Sequence, residues 1–139
     1  IRVQHNNILG PFKGGIRFSK DINVEEIKAL AMCMSIKCSL QDLPFGGDKG
    51  GLKLDPNEYL DIDLHKITSI FSQKISSFIG PYRDILAPDM GTNSKLIDIM
   101  AKNYISGTDN EMNKKLTYIG KSVGYGGSLG RNEATKKLS

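Results

Sequence analysis

The 139-residue sequence has no long apolar run, no cluster of basic residues and no paired-cysteine motif. Its longest apolar stretches fall well short of the roughly 20 residues that span a membrane, and no signal-peptide pattern opens the chain. Nucleic-acid-binding surfaces concentrate Lys and Arg on one face, whereas the net charge of +4 is scattered here. We therefore expect neither a membrane nor a nucleic acid as partner.

Cysteine is also scarce. Cys33 and Cys38 are five residues apart on one predicted helix, a spacing that fits neither a Cys-x-x-Cys motif nor an obvious disulfide. Two free thiols are typical of a reducing compartment, so we expect a cytoplasmic protein, or a mitochondrial-matrix one if a transit peptide was removed. No His, Cys and Asp cluster has metal-ligand spacing, so no metal is expected.

Three lysines stand in glycine-rich or apolar settings. Lys13 lies in Gly-Pro-Phe-Lys-Gly-Gly and Lys49 in Phe-Gly-Gly-Asp-Lys-Gly-Gly, where glycines permit sharp turns and close approach of a ligand, so both are expected in loops. Lys37 falls on the apolar stripe of a predicted helix. Its alternative role is a side chain that snorkels out near the helix C-terminus. Together the three cations predict a pocket for a substrate with more than one carboxylate.

Three helices are predicted from caps and apolar periodicity. Asn23, with Glu26 three residues later, predicts a capping box and a helix to about Ser39. The second helix is expected to stop at Gly80-Pro81, and the third to begin after Thr92 or Asn93. The apolar faces are formed by Ile27, Leu30, Ala31, Met34 and Cys38, then by Leu64, Ile67, Phe71, Ile75 and Phe78, and finally by Leu96, Ile97, Met100 and Tyr104.

Short strands are predicted at 51–54 and 82–86, the second followed by a loop at 87–89. Strands that alternate with helices of this length predict a layered α/β/α domain with a mostly parallel central sheet. Ligands in such sheets collect at the carboxyl ends of the strands. Lys49 and Asp89 lie beside predicted strands, so we expect them to converge.

The last part of the chain is rich in polar residues and glycine. Residues 105–118 predict a mobile loop. The segment 120–131 matches neither a Walker loop nor a complete dinucleotide fingerprint, and a glycine-rich hinge is the better interpretation. We therefore divide the chain into a substrate-binding domain, 1–118, and a hinge, 119–139, that leads toward an absent dinucleotide-binding domain.

Six motifs in order carry a resemblance that covers nearly the whole chain. They are Gln4-His5, Gly10-Pro11-Phe12-Lys13-Gly14-Gly15-Ile16-Arg17, Met34-Ser35-Ile36-Lys37-Cys38, Pro44-Phe45-Gly46-Gly47-Asp48-Lys49-Gly50-Gly51, Ala87-Pro88-Asp89-Met90-Gly91-Thr92 and Gly126-Gly127-Ser128-Leu129-Gly130-Arg131-Asn132-Glu133-Ala134-Thr135. Together they resemble the N-terminal substrate-binding and dimerisation domain of glutamate dehydrogenases, within the glutamate/leucine/phenylalanine/valine dehydrogenase superfamily.

The resemblance implies a role for each charged side chain. Lys49 matches the catalytic lysine that polarises the substrate carbon and activates water, and Asp89 matches its acid/base partner. Lys37 matches the lysine that binds the substrate α-carboxylate. Lys13 matches the lysine that binds the side-chain carboxylate. Because branched-chain and aromatic enzymes carry an apolar residue there, Lys13 implies glutamate and 2-oxoglutarate.

Further site residues follow from the same resemblance. Met34, one turn before Lys37, and Gly14 are substrate-binding candidates, while Arg131 and Thr135 match positions near the nicotinamide end of the cofactor. Arg17 is expected to brace its segment or to pair with an acid. The implied reaction is the NAD- or NADP-dependent, reversible deamination of L-glutamate to 2-oxoglutarate and ammonia, in a homo-oligomer.

Two departures from the family pattern bear on activity. Asp48 replaces a small residue before the catalytic lysine, and a carboxylate that faced Lys49 would favour the ammonium form and slow the chemistry. Lys136 replaces a glycine, and the chain stops at Ser139. Because it also begins with Ile1, we expect a fragment, a processed product or a trimmed chain that is inactive alone. The alternative is a degenerate, non-catalytic domain that binds dicarboxylates or docks with dehydrogenase subunits.

Overall fold

A computed structural model describes residues 1–106 and 110–130 of the chain. Two 3₁₀ turns, Pro56–Glu58 and Val123–Tyr125, accompany four strands and four helices in this part of the molecule. In chain order these are β1 (Arg2–Asn6), β2 (Phe12–Phe18), α1 (Val24–Leu40), β3 (Gly47–Leu52), α2 (Asp61–Ile75), β4 (Asp84–Pro88), α3 (Ser94–Ile105) and α4 (Glu111–Lys115).

The strands form one sheet in the order β1-β3-β2-β4. β2 runs parallel to both of its neighbours, and β1 pairs antiparallel with β3 at one edge. The expected α/β architecture with a mostly parallel sheet is therefore confirmed. In the register of the parallel strands, Ile16 of β2 lies beside Gly50 of β3 and Pro88 of β4.

The two faces of the sheet are covered by different helices. On one face, here called the core face, Ile16, Phe18 and Leu86 are buried against residues of α2 and α3. On the other face, here called the site face, α1 packs so closely on β3 that a Cβ at Gly47 would lie 2.2 Å from the backbone nitrogen of Ser35. Side chains alternate between these two faces along each strand.

The helix caps behave largely as the sequence predicts. The side chain of Asn23 accepts a hydrogen bond from Glu26 N–H at 2.9 Å and begins α1, and Asn93 begins α3 in the same way. The predicted end of the second helix is wrong. α2 ends at Ile75, and Phe78 lies beyond it and is 57% exposed. Serine residues at 76 and 77 favour a turn over another helical turn.

The predicted loop at 105–118 is also partly wrong. Residues 107–109 lie outside the described part, but α4 follows them and Tyr118 is completely buried. Leu86 N–H donates to the carbonyl of Thr117, and Ile119 N–H donates to that of Leu86, so this segment extends the sheet beside β4. Within the described ranges, no helix combines the length and the apolar character that crossing a membrane requires.

Candidate active site

The glycine-rich lysine motifs form strands rather than the loops that we expected. Lys13 lies in β2 and Lys49 in β3. Because side chains alternate, Lys13, Gly15 and Arg17 share the site face with Lys49. Two of the three predicted lysines, and an arginine, therefore point to one side of the sheet.

Lys49 crosses β2 to reach the end of β4. Gly15 lies between the two strands and has no side chain, so the lysine passes over it to Asp89, the residue that follows β4. Nζ of Lys49 lies 2.5 Å from Oδ2 of Asp89, and the two side chains are 11% and 24% exposed. The expected convergence of Lys49 and Asp89 is confirmed, and the pair is largely shielded from solvent.

A methyl group at Gly15 is expected to disrupt this pair. A Cβ built there lies 2.8 Å from Cβ of Asp89 and 3.2 Å from Nζ of Lys49, so Gly15→Ala must displace the aspartate. We expect a loss of about 1–3 kcal/mol in the free energy of unfolding, and a higher pKa of Asp89 as its contact with Lys49 lengthens. Carbon-detected NMR titration of the aspartate carboxyl groups measures that pKa. Gly124→Ala is the control, because nothing lies within 4 Å of its Cβ. An unchanged pKa of Asp89 in Gly15→Ala would contradict this prediction.

Asp89 is fixed through both its backbone and its carboxylate. Its N–H donates to Oγ1 of Thr92 at 2.8 Å, and that hydroxyl donates to the carbonyl of Ile16. Burial acts to raise the pKa of Asp89, but the hydrogen bonds and charges of Lys49 and Arg17 outweigh it and hold the pKa below its usual value. The carboxylate is therefore ionised when no substrate is bound.

Three of the remaining substrate-binding candidates, Lys13, Lys37 and Met34, lie in different environments. Nζ of Lys13 lies 5.7 Å from the ring centroid of Phe45. Lys37 lies in the last turn of α1, the helix that covers the site face, and it is exposed. This position fits its alternative role, a lysine that snorkels out near the helix C-terminus. Met34 is half-buried on the same helix. The binding roles of Lys13, Lys37 and Met34 stay predictions.

Gly14 has a structural reason to be glycine. It lies on the core face, where a Cβ would stand 1.9 Å from the backbone oxygen of Asp48. Its neighbours are therefore the backbone and side chain of β3, on the side of the sheet opposite the Lys49–Asp89 pair. The predicted contribution of Gly14 to substrate binding stays untested by this geometry.

Asp48 does not face Lys49, so the condition for its inhibitory effect is not met. It lies on the core face of β3, completely buried, and its Oδ2 makes close contact with Nη2 of Arg2. The same guanidinium binds Asp84, with 3.1 Å between Nε and Oδ2, and Gln4 donates to that oxygen at 2.8 Å. The two side chains are apart because consecutive residues of a strand point to opposite faces.

The surroundings of Asp48 and Asp84 favour a single proton shared by the two carboxyl groups. Burial raises the pKa of Asp48 to about 9, and a hydrogen bond to the carboxyl group of Asp84 adds to the effect. Burial acts in the same direction on Asp84, but hydrogen bonds from Asp48, Arg2 and Gln4 hold its pKa below the usual value. Two buried carboxyl groups beside one arginine are therefore neutralised by that arginine and one proton.

The described residues do not fit a dinucleotide cofactor. Such a site needs a strand, a glycine-rich turn and a helix in succession. In the described segment 120–130, glycines surround only the 3₁₀ turn Val123–Tyr125. Arg131 and Thr135, which the resemblance implies at the nicotinamide, lie outside the described residues.

Sequence reasoning missed the partners of two arginines. Arg17 was expected to pair with an acid, and it does, with Asp89 at 2.9 Å and Glu26 at 3.0 Å. Its position four residues after Lys13 would have placed it on the site face if β2 had been predicted as a strand. No signal in the sequence links Arg2 with Asp84.

Comparison with known proteins finds a matching family model and similar enzymes. The family model for the Glu/Leu/Phe/Val dehydrogenase dimerisation domain matches residues 1–106. The NAD-specific glutamate dehydrogenase of Staphylococcus aureus (strain COL) is 42% identical over 134 residues, which are 96% of this chain and 32% of that protein. The glutamate dehydrogenase of Thermotoga maritima is 44% identical over 135 residues, with the same shares of the two chains.

Solved structures show the same similarity in three dimensions. The hetero-hexameric glutamate dehydrogenase of Thermus thermophilus (Leu-bound form) superposes with a TM-score of 0.90 at 32% identity, over 96% of this chain and 32% of that one. The enzyme of Peptoniphilus asaccharolyticus gives 0.90 at 37% identity, over 96% and 34%. This chain thus spans about a third of its relatives. It belongs to the Glu/Leu/Phe/Val dehydrogenase family and contains that family's dimerisation domain.

Proposed function

We propose that this chain is the substrate-binding part of a glutamate dehydrogenase. The reaction is the reversible oxidative deamination of L-glutamate to 2-oxoglutarate and ammonia, with NAD or NADP bound by a part of the enzyme outside the described residues. The observation that carries the proposal is the contact of 2.5 Å between Lys49 Nζ and Asp89 Oδ2, on the sheet face that also carries Lys13. By its family, the chain is proposed to assemble with further copies of itself, in the cytoplasm or the mitochondrial matrix.

The charge of each side chain in the site determines its proposed role. In the direction of glutamate synthesis, the ammonium of Lys49 hydrogen-bonds to the 2-oxo oxygen and draws electrons from the carbon that is attacked. Asp89, held ionised nearby, exchanges a proton with the nitrogen that becomes the amino group. Lys37 is proposed to bind the α-carboxylate and Lys13 the distal carboxylate. A cationic lysine and an anionic carboxylate thus act on one reacting centre.

The distal carboxylate provides a direct test. Isothermal titration calorimetry of the chain with 2-oxoglutarate is expected to show binding, and Lys13→Met is expected to weaken it about 10- to 100-fold, since a hydrogen bond to a charged group contributes about 1.5–3 kcal/mol. The affinity for 2-oxobutyrate, which lacks the second carboxylate, is expected to stay the same. This difference between the two ligands isolates the role of Lys13.

A matched variant controls for the loss of a positive charge. Lys66→Met removes an exposed lysine from α2, the helix on the opposite side of the sheet, and is expected to change neither affinity. Equal weakening of both ligands in Lys13→Met would assign Lys13 to the common carboxylate instead. No detectable binding of 2-oxoglutarate to the wild-type chain would refute the proposal.

The alternative, a non-catalytic domain that binds dicarboxylates, predicts the same binding. The two functions differ at Lys49 and Asp89, because binding of a dicarboxylate alone does not require an acid/base pair that is largely shielded from solvent. The pair therefore favours the catalytic role. Glutamate-dependent reduction of NAD or NADP, assayed with a cofactor-binding domain supplied in the same polypeptide, separates the two functions.

A further inference from the structure

Arg17 is the second charged residue on the site face of β2, after Lys13, and two of its guanidinium nitrogens are bound. Nε donates to Oδ2 of Asp89 at 2.9 Å, while Nη1 pairs with Oε1 of Glu26 at 3.0 Å. Glu26 lies in the first turn of α1, and its own N–H is bound by Asn23. The arginine therefore links the proposed acid/base residue to the start of the helix that covers the site.

Two cations bind the same oxygen of Asp89. Both Lys49 Nζ and Arg17 Nε contact Oδ2, at 2.5 and 2.9 Å. No hydrogen bond from any described residue reaches Oδ1 of this carboxylate, which is 24% exposed. The protein thus holds Oδ2 and leaves Oδ1 available to a ligand. An aspartate that exchanges protons with a substrate nitrogen needs such an oxygen.

The contact between Lys49 and Asp89 is exposed to competition during the reaction that we propose. The 2-oxo oxygen accepts a hydrogen bond from the ammonium of Lys49, and it therefore competes with Asp89 for that cation. If Lys49 were the sole partner, Asp89 would then lose its anchor and part of the stabilisation of its charge. Arg17 keeps its own bond to Oδ2 because its other end is held by Glu26.

We propose that Arg17 is the positioning residue for Asp89, which it holds by Oδ2 and keeps ionised while Lys49 turns to the substrate. The inference rests on the proposed function, since it concerns the same site. Arginine suits the task because its planar guanidinium can donate to two carboxylates at once, whereas a lysine offers a single point charge. Arg17 itself makes no contact with the substrate in this arrangement.

The test is the titration of Asp89 in the intact chain, followed by carbon-detected NMR. Arg17→Met removes the donor at nearly unchanged length, and we expect the pKa of Asp89 to rise by about one unit or more. Arg17→Lys keeps the positive charge but loses the planar group that donates to two carboxylates at once. We expect the pKa of Asp89 in this variant to lie between those of wild type and Arg17→Met. Lys66→Met, which removes a distant positive charge, is the control and is expected to leave the pKa of Asp89 unchanged.

Calorimetry distinguishes positioning from binding. Arg17→Met is expected to keep most of the affinity for 2-oxoglutarate, and a loss as large as that in Lys13→Met would make Arg17 a substrate ligand and overturn the proposal. An unchanged pKa of Asp89 in Arg17→Met would overturn it too. If that variant does not fold, an unchanged pKa in Arg17→Lys has the same consequence. If the wild-type chain binds no 2-oxoglutarate, the proposed function is refuted. The titration of Asp89 still tests the role of Arg17 in that case.

Discussion

Replacement of Asp48 by asparagine is expected to stabilise the fold at neutral and alkaline pH and to change it little near pH 4. The carboxyl group of Asp48 is buried beside Asp84 and Arg2, and its pKa is raised from the ordinary 3.8 to about 9. Asparagine has nearly the same shape, and its amide can donate a hydrogen bond to Asp84 as the protonated acid does. The side chain therefore keeps its partner and no longer needs a proton to be buried.

The sign of the pH dependence follows from proton binding. Between about pH 4 and pH 9, the folded chain retains a proton on Asp48 that the unfolded chain releases. The free energy of unfolding therefore falls as the pH rises, by up to about 1.4 kcal/mol per pH unit from this group. Asp48→Asn removes this pH dependence of the free energy of unfolding. The stability of the variant relative to wild type therefore grows from pH 5 to pH 8.

Denaturant unfolding of wild type and Asp48→Asn at several pH values measures this difference directly. Asp42→Asn is the matched control, because Asp42 is exposed and its φ of 50° is one that asparagine also adopts. It is expected to show the wild-type slope. A variant Asp48→Asn that is less stable than wild type at pH 8 would contradict the shared proton and indicate an ionised Asp48.

Gly14→Ala is expected to destabilise the sheet by about 3 kcal/mol or more, above the usual cost of an added methyl group in a core. The new Cβ would lie 1.9 Å from the backbone oxygen of Asp48 and 2.2 Å from its Oδ1. A backbone oxygen in the middle of a sheet cannot move aside without breaking the pairing of β2 with β3. The methyl group would therefore force the two central strands apart.

Thermal unfolding of Gly14→Ala beside Gly124→Ala tests this prediction. Both substitutions add the same methyl group, but a Cβ at Gly124 has nothing within 4 Å, so that variant is expected to unfold like wild type. A Gly14→Ala chain as stable as wild type would show that the strands tolerate separation. In that case the glycine would have to be explained by substrate binding, as the family resemblance implies.

The helices of this fold could be predicted from the sequence better than the strands. Asn23 and Asn93 are residues that cap helices, and the apolar spacing after each one is helical, so α1 and α3 were predictable. β2 and β3 contain Lys-Gly-Gly and Asp-Lys-Gly-Gly, residues that strands usually avoid. Their pairing is decided by close contacts between strands that local sequence does not reveal.

The site was predictable in its members but only partly in its geometry. The family motifs pointed to Lys49 and Asp89, and the alternation of strands and helices predicted that they converge. The orientation of Asp48 stayed open in the sequence, because it depends on whether Lys49 lies in a loop or in a strand. The contact of Arg17 with Oδ2, rather than Oδ1, of Asp89 depends on side-chain positions from three elements, which no single segment encodes.

The bond between Arg2 and Asp84 joins residues 82 positions apart, and this separation has a consequence for biosynthesis. Arg2 leaves the ribosome before its carboxylate partner is made, so β1 cannot reach its final electrostatic environment until residue 84 has been synthesised. Contacts of such long range slow folding, and a nascent chain that waits for them exposes strand edges to chaperones or to other chains. Removal of β1 would leave the two buried acids Asp48 and Asp84 without the arginine that contacts them both.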